Sequence, residues 1–155
     1  MFKHSDKVLF IGDSITHGAG YVHGIYHYYI TRFPDQRMVF LNKGISGDTA
    51  AGGISRFDWD IREEGVSHAA VMFGMNDLGL ALYKAKPTEA ENKQKEEAFR
   101  KYTENIDKLV KLLLQNQARV ILIGPSLFDE TMEPVTPMIH GHGYNGALSG
   151  AAAFL

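Results

Sequence analysis

The chain alternates short, purely apolar runs with longer segments in which apolar and polar positions are mixed. Short uninterrupted apolar runs are typical of strands that are buried on both faces of a parallel sheet. They predict strands at residues 7–11, 37–41, 68–73 and 119–123. Glycine or asparagine follows each run closely, which is where a strand is expected to end.

The segments between these runs predict helices at residues 25–33, 49–64 and 92–117, and a further helix begins near residue 144. The clearest is the long third one, where apolar residues recur at steps of three and four and so share one helix face. These are Ala98, Tyr102, Ile106, Leu109 and Leu113. Strands that alternate with helices indicate βαβ crossovers, and therefore an α/β fold built on a parallel sheet.

Length, composition and charge indicate the size of the domain, the partners that are not expected and the location of the protein. The 155 residues can bury a substantial core, and we expect residues 1–155 to form a single domain. A net charge of -2 without a basic run argues against a nucleic-acid partner. No apolar stretch is long enough for a membrane span, no signal-peptide pattern starts the chain and cysteine is absent, so we expect a cytoplasmic protein.

Polar and glycine-rich segments follow three of the predicted strands, at residues 12–18, 42–49 and 74–77. Because the carboxyl ends of parallel strands share one edge of the sheet, we expect these segments to meet there. Ser14 would supply a hydroxyl nucleophile on a tight strand-to-helix turn. Gly47 would supply an unobstructed backbone N–H, and Asn76 a side-chain amide. Such donors stabilise the oxyanion that forms when an ester is attacked.

The same segments resemble three sequence blocks of the SGNH (GDSL-type) serine esterases. Residues 12–16 (GDSIT) resemble the block whose serine is the nucleophile, and residues 42–49 (NKGISGDT) the block whose glycine gives an oxyanion N–H. Residues 74–77 (GMND) resemble the block whose asparagine completes the oxyanion hole. The resemblance implies that Ser14 attacks an acyl carbonyl, while the N–H groups of Ser14 and Gly47 and the amide of Asn76 hold the oxyanion.

The resemblance also carries expectations about fold and substrate. It implies a three-layer α/β/α sandwich with a flavodoxin-like parallel sheet in the order 2-1-3-4-5. The expected reaction is hydrolysis of a small-molecule carboxylic ester with a short acyl group, as in an acetylesterase, without a cofactor. Asp13 and Asp77 are expected to support the loops and not to act as acid or base.

One block of the family is not found in this sequence. The family carries an Asp-x-x-His after its fifth strand, in which the histidine is the general base and the aspartate orients it. The last aspartate here is Asp129, and Met132 stands three residues further on. No fifth strand is predicted either. We therefore expect a chain that is incomplete at its C-terminus, with the general base beyond residue 155.

Two consequences of that expectation can be stated as hypotheses. A chain without its base would be catalytically deficient, with only residual activity from the oxyanion hole and from binding. Its fourth strand would expose unpaired N–H and C=O groups, through which the chain would form a homo-oligomer.

Several of these residues have alternative interpretations. Ser14 could be the N-cap of a helix, Gly47 could simply close a turn, and Asn76 with Asp77 could serve turn chemistry. The glycine-rich first loop could instead belong to a phosphate- or nucleotide-binding module. That loop lacks the P-loop lysine and the G-x-G-x-x-G fingerprint, and a binding module leaves Asn76 unexplained.

The histidines and tyrosines add weaker candidates. His140 and His142 stand two apart in a glycine-rich loop, but without a third ligand we predict no metal site. Either of them is a weak candidate for the general base. His17 is expected at the surface or at a pocket rim. Four tyrosines could line an acyl pocket or pack in the core, and these are Tyr21, Tyr26, Tyr28 and Tyr29.

Overall fold

A computed structural model describes residues 2–63, 65–130 and 143–155. Its strands are β1 (Lys7–Gly12), β2 (Val39–Gly44), β3 (His68–Met72) and β4 (Arg119–Leu122). They form one parallel sheet in the order β2-β1-β3-β4. The predicted α/β class and the order of the first four strands are confirmed. The described residues contain no fifth strand.

The helices are α1 (Ser14–His17), α2 (Gly20–Arg32), α3 (Ala50–Ser55), α4 (Glu89–Gln115) and α5 (Tyr144–Phe154). The short α1 begins at the predicted strand-to-helix turn, although no bounds were predicted for it, and α2 begins earlier than the predicted helix at 25–33. The prediction of one helix over residues 49–64 is wrong. The chain leaves helical geometry at Arg56 (φ −98°, ψ 6°), and a π-helical turn, Phe57–Ile61, follows. Gly52 and Gly53 weaken this segment as a continuous helix.

The long helix α4 follows its sequence pattern closely. It begins at Glu89 with a capping box, in which Thr88 and Glu91 each bond to the backbone of the other. The residues of its predicted apolar face that are buried are Tyr102, Ile106, Leu109 and Leu113.

Helices cover both faces of the sheet. Leu9 and Ile11 of β1 face a core that α3, α4 and α5 complete. Val8 and Phe10 of the same strand point to the other face and pack against Val22 of α2. Successive strand residues alternate between faces, so covering both faces requires strands that are apolar throughout. The three-layer sandwich is therefore confirmed. Within the described ranges, none of the helices combines the length and apolar character that crossing a membrane requires.

Two glycines allow the first turn of the chain to approach its neighbouring strands. A Cβ on Gly44 would lie 2.3 Å from the backbone nitrogen of His17, and one on Gly12 would lie 2.5 Å from the carbonyl oxygen of Met72. Neither contact is sterically possible without a shift of the backbone. Glycine at these two positions therefore brings the turn after β1 into direct contact with β2 and β3.

We predict that Gly44→Ala lowers the free energy of unfolding by about 2 kcal/mol or more, because the methyl group would push α1 away from β2. The matched control is Gly24→Ala on α2, where a Cβ meets nothing within 4 Å. This control should be neutral or stabilise the protein by up to about 1 kcal/mol. Urea unfolding followed by circular dichroism measures both, and equal stabilities of the two variants would contradict the prediction.

Candidate active site

Ser14 occupies the first position of α1, directly after β1, and is exposed to solvent. The N-cap of α1 is Asp13, whose Oδ1 accepts a hydrogen bond from the backbone N–H of Ile15 at 3.0 Å. Asp13 is buried, and this burial raises the pKa of its carboxyl. The structure thus gives the capping role to Asp13 and leaves the Ser14 side chain at the sheet edge.

Gly47 lies in the loop between β2 and α3. It is exposed, has a φ of +80°, and its missing Cβ would meet nothing within 4 Å. A positive φ favours glycine. The loop closes as a turn, in which the N–H of Asp48 donates to the carbonyl of Ile45 at 3.1 Å. Gly47 therefore serves a turn, and the space beside its backbone stays open.

Asn76 and Asp77 connect the loop after β3 to the loop after β2. The Asn76 Nδ2 donates to the carbonyl of Asp48 at 2.8 Å. Asp77 accepts from the N–H of Ala50 at 2.9 Å through Oδ1, and from the N–H of Gly74 at 3.0 Å through Oδ2. The bond to Gly74 is local to the turn that contains Asp77, whereas the bond to Ala50 connects this turn to the start of α3. A side-chain amide carries two hydrogens, and the bond to Asp48 needs one of them.

Buried polar groups of the described chain concentrate at this edge of the sheet. The buried polar or charged side chains among the described residues are Asp13, Thr16 and Arg56. Burial raises the pKa of Asp77 to about 6, and the nearby charge of Asp13 adds to the effect. The charge of Asp48 in turn raises the pKa of Asp13. The loops after the first three strands therefore bring their acidic side chains close enough to interact.

Sequence reasoning missed Arg56, Thr16 and Tyr144 as contributors to this edge, whereas it had named Tyr21 as a candidate for an acyl pocket. Arg56 binds Asp48 across the loop after β2. Tyr21 and Thr16 share a hydrogen bond of 2.9 Å between their hydroxyl groups. Tyr144 of α5 donates its hydroxyl hydrogen to the carbonyl of Met75. Arg56 did show one local signal, its spacing of four from Asp60, but such pairs usually lie on helix surfaces.

The tyrosines of α2 have different surroundings. Tyr29 is buried in the core, and its hydroxyl accepts from the N–H of Phe2 at 3.0 Å. Tyr26 and Tyr28 are 43% and 48% exposed. Tyr21, through its bond to Thr16, is the one that reaches the turn carrying Ser14. A role in acyl binding stays a prediction for these side chains.

The described histidines lie in different places relative to the edge. His17 is exposed, and its Nδ1 is 3.1 Å from the carbonyl of Gly44, as expected for a rim residue. His68 contacts Ser67 at 2.9 Å and Asp6 at 3.7 Å, but it begins β3 and so lies at the opposite edge of the sheet. His140 and His142 lie outside the described residues.

A cavity of about 350 Å³ borders the loop after β3. Its walls come from that loop and from α3 and α4, and its lining residues are Thr49, Ala51, Asn76, Asp77, Gln94, Glu97, Ala98, Lys101, Tyr102 and Asn105. It therefore adjoins the candidate oxyanion asparagine and not the candidate nucleophile. In the described parts of the chain, no group of three or more His, Asp or Glu side chains could hold a metal ion.

One family model covers most of the chain. The family model for the GDSL-like lipase/acylhydrolase family matches residues 10–154. An acetylxylan esterase of Geobacillus stearothermophilus is 31% identical over an alignment that covers 47% of this chain and 40% of that protein.

Solved structures of other proteins share the fold described above. A gut microbial diltiazem-metabolizing enzyme is 29% identical with a TM-score of 0.84, over 99% of this chain and 34% of that one. The structure of an acetylxylan esterase from Geobacillus stearothermophilus is 24% identical with a TM-score of 0.64, over 99% of this chain and 74% of that one, which supports the fold alone. The chain thus spans about a third of the diltiazem-metabolizing enzyme, and its alignment spans less than half of the curated relative.

We predict that ionisation of Asp77 costs stability, because burial raises its pKa from 3.8 to about 6. Because the raised pKa favours the neutral carboxyl in the folded state, Asp77 adds to the free energy of unfolding below about pH 4. This contribution is lost as the pH rises through 6. Asp77→Asn cannot ionise and removes this contribution. The free energy of unfolding of the unmodified protein minus that of the variant should therefore fall by up to about 3 kcal/mol between pH 4 and pH 7.5. Urea unfolding at both pH values measures it, and an advantage that is constant or grows with pH would contradict the prediction.

Proposed function

The chain belongs to the GDSL-like lipase/acylhydrolase family, and on this basis we propose that it hydrolyses carboxylic esters with Ser14 as nucleophile. The Ser14 oxygen attacks the acyl carbonyl, and the carbonyl oxygen becomes an oxyanion. The N–H groups of Ser14 and Gly47 and the side-chain amide of Asn76 donate hydrogen bonds to it. The general base takes the proton of the Ser14 hydroxyl and gives it to the alcohol, which leaves as the intermediate collapses, and water then hydrolyses the acyl–Ser14 ester to release the acid.

The observation that carries the proposal is the hydrogen bond from the Asn76 amide to the carbonyl of Asp48. Asp48 follows Gly47 directly, so this bond brings two of the proposed donors together although they come from different loops. Ser14 belongs to the turn that contacts the same loop, since His17 bonds to Gly44. The exposure of Ser14 and the open side of Gly47 leave room for an ester to approach.

The acyl group that we propose is short, as in an acetylesterase. Support comes from the acetylxylan esterase among the relatives, which carries a similar sequence over part of its length. The cytoplasmic location and the single domain over residues 1–155 stay predictions.

The general base is the part of the mechanism that the described residues do not assign. His140 and His142, which lie outside the described residues, are weak candidates for it. A catalytically deficient form stays the alternative to an active esterase. Both alternatives keep the same nucleophile and the same oxyanion donors, so they differ in rate and not in the position of the site.

A phosphate- or nucleotide-binding module receives no support from the geometry. The helix that the first loop opens is only four residues long, and the N–H of Ile15 already donates to Asp13. The carboxylates of Asp13, Asp48 and Asp77 act on one another at this edge. They would repel a multiply charged anion more strongly than the single developing charge of an ester intermediate.

We expect Ser14→Ala to abolish hydrolysis of p-nitrophenyl acetate by the full protein, together with covalent labelling by a fluorophosphonate. Asn76→Ala should lower kcat by about 10²- to 10³-fold, because it removes one oxyanion donor. Ser55→Ala is the matched control, since the Ser55 hydroxyl is exposed and bonds to its own helix at 2.8 Å. An unmodified protein that neither hydrolyses the ester nor labels would contradict the proposal, as would labelling that survives Ser14→Ala.

For the case in which these 155 residues are the whole molecule and no fifth strand covers β4, we also propose a homo-oligomer through the edge of β4. Among the described residues β4 pairs with β3 alone, and its Ile121 is 38% exposed. Ile121→Lys should shift sedimentation towards the monomer, because a lysine on an edge strand opposes pairing with a second chain. Gln115→Lys on α4 is the control for added charge. A purely monomeric unmodified protein at micromolar concentration would contradict this.

A further inference from the structure

We propose that Arg56 is a positioning residue of the oxyanion hole, because one buried guanidinium clamps both ends of the loop that carries Gly47. This loop, residues 44–48, is called the Gly47 loop below. The inference rests on the function proposed above, in which Gly47 and Asn76 are oxyanion donors. Arg56 itself touches no reacting atom and acts through Asp48.

The contacts of Arg56 reach the loop from both sides. Its Nη2 donates to the carbonyl of Lys43, just before the loop begins, at 2.8 Å. Its Nε donates to Oδ2 of Asp48, the last residue of the loop, at 2.9 Å. Its Nη1 pairs with Asp60 in the π-helical turn. With 4% of its surface exposed and its planar fork bound on three sides, the guanidinium has little freedom to reorient.

Asp48 transmits this constraint to the oxyanion donors. Its Oδ1 accepts from the N–H of Thr49 at 2.9 Å, and its backbone carbonyl accepts from the Asn76 amide at 2.8 Å. A Cβ on Gly52 would lie 1.8 Å from Oδ1 of Asp48, so only glycine there lets the carboxylate fold over the start of α3. A displacement of Asp48 would therefore move both the Gly47 N–H and the Asn76 amide.

Arg56 also balances charge where the reaction would build negative charge. An unpaired Asp48 carboxylate next to the donors would oppose a developing oxyanion. Arg56 pairs with this carboxylate and with Asp60, while Lys43 lies 3.3 Å from Asp60 and 3.5 Å from Glu63. A buried ion pair adds little stability compared with apolar packing of the same volume. The geometry that it imposes on the loop explains its presence better than stability does.

Arg56→Lys tests the clamp because it keeps the positive charge and loses the planar fork. We expect kcat of the full protein for p-nitrophenyl acetate to fall by about 10- to 100-fold, with KM changed by less than about twofold. Asp60→Asn is a milder second variant, which releases one partner of the guanidinium and should lower kcat by about two- to fivefold. Arg62→Lys is the matched control, because Arg62 is exposed and pairs with Asp58 at 2.8 Å. Its kcat should stay unchanged.

A double-mutant cycle separates positioning from a general loss of structure. If Arg56 acts through the oxyanion donors, Arg56→Lys should reduce kcat at least about threefold less in an Asn76→Ala background than in the unmodified protein. Equal effects in both backgrounds would overturn the inference. So would an active, folded Arg56→Lys protein with unchanged kcat.

Hydrogen exchange tests the clamp without relying on activity. The backbone amides of residues 44–49 should exchange about 10-fold faster in Arg56→Lys, while those of α2 should keep their rates. Unchanged exchange in the Gly47 loop would overturn the positioning role of Arg56 and would leave the proposed function untouched. An unmodified protein without ester hydrolysis or labelling would instead overturn the proposed function on which that role depends.

Discussion

Hydrogen bonds from side chains of one loop to the backbone of another hold the candidate site together. Asn76 donates to the carbonyl of Asp48, Asp77 accepts from the N–H of Ala50, and Asn42 donates to the carbonyl of Thr16 at 2.7 Å. A parallel sheet delivers its loops to one edge but does not fix their conformations. These bonds fix them, and they satisfy backbone groups that regular secondary structure leaves without a partner. The donors for an oxyanion are thus positioned by contacts between loops.

One ion pair limits how strongly the charges at this edge oppose an anionic intermediate. Asp48 lies next to Gly47, and its carboxylate is paired with Arg56. Burial raises the pKa of Asp13 and raises that of Asp77 to about 6, so Asp77 still carries its charge at neutral pH. The pair with Arg56 therefore reduces the negative potential at the donors, while the Asp77 carboxylate adds to it.

Periodicity and glycine positions predicted the sheet and the long helix well, because they reflect burial along a single element. Strand-end position and side-chain chemistry pointed to Ser14, Gly47 and Asn76, and the resemblance to a family implied the role of each, which stays a prediction. Arg56 was missed for a physical reason: its partners Lys43 and Asp48 lie outside the helix predicted at 49–64, and an arginine in the middle of a helix is expected to point to solvent. The same contacts explain the wrong prediction at 49–64, since the chain leaves helical geometry at the residue that binds back to the loop.

In the proposed site, Ser14, Gly47 and Asn76 surround a single carbonyl oxygen. A crystal structure of the full protein after reaction with a phosphonate tests it most directly, because the phosphoryl oxygen takes the place of the oxyanion. We expect an adduct on Ser14 whose phosphoryl oxygen lies about 3 Å from the backbone nitrogen of Gly47 and from Nδ2 of Asn76. An adduct on another residue, or a phosphoryl oxygen that points away from both nitrogens, would contradict it.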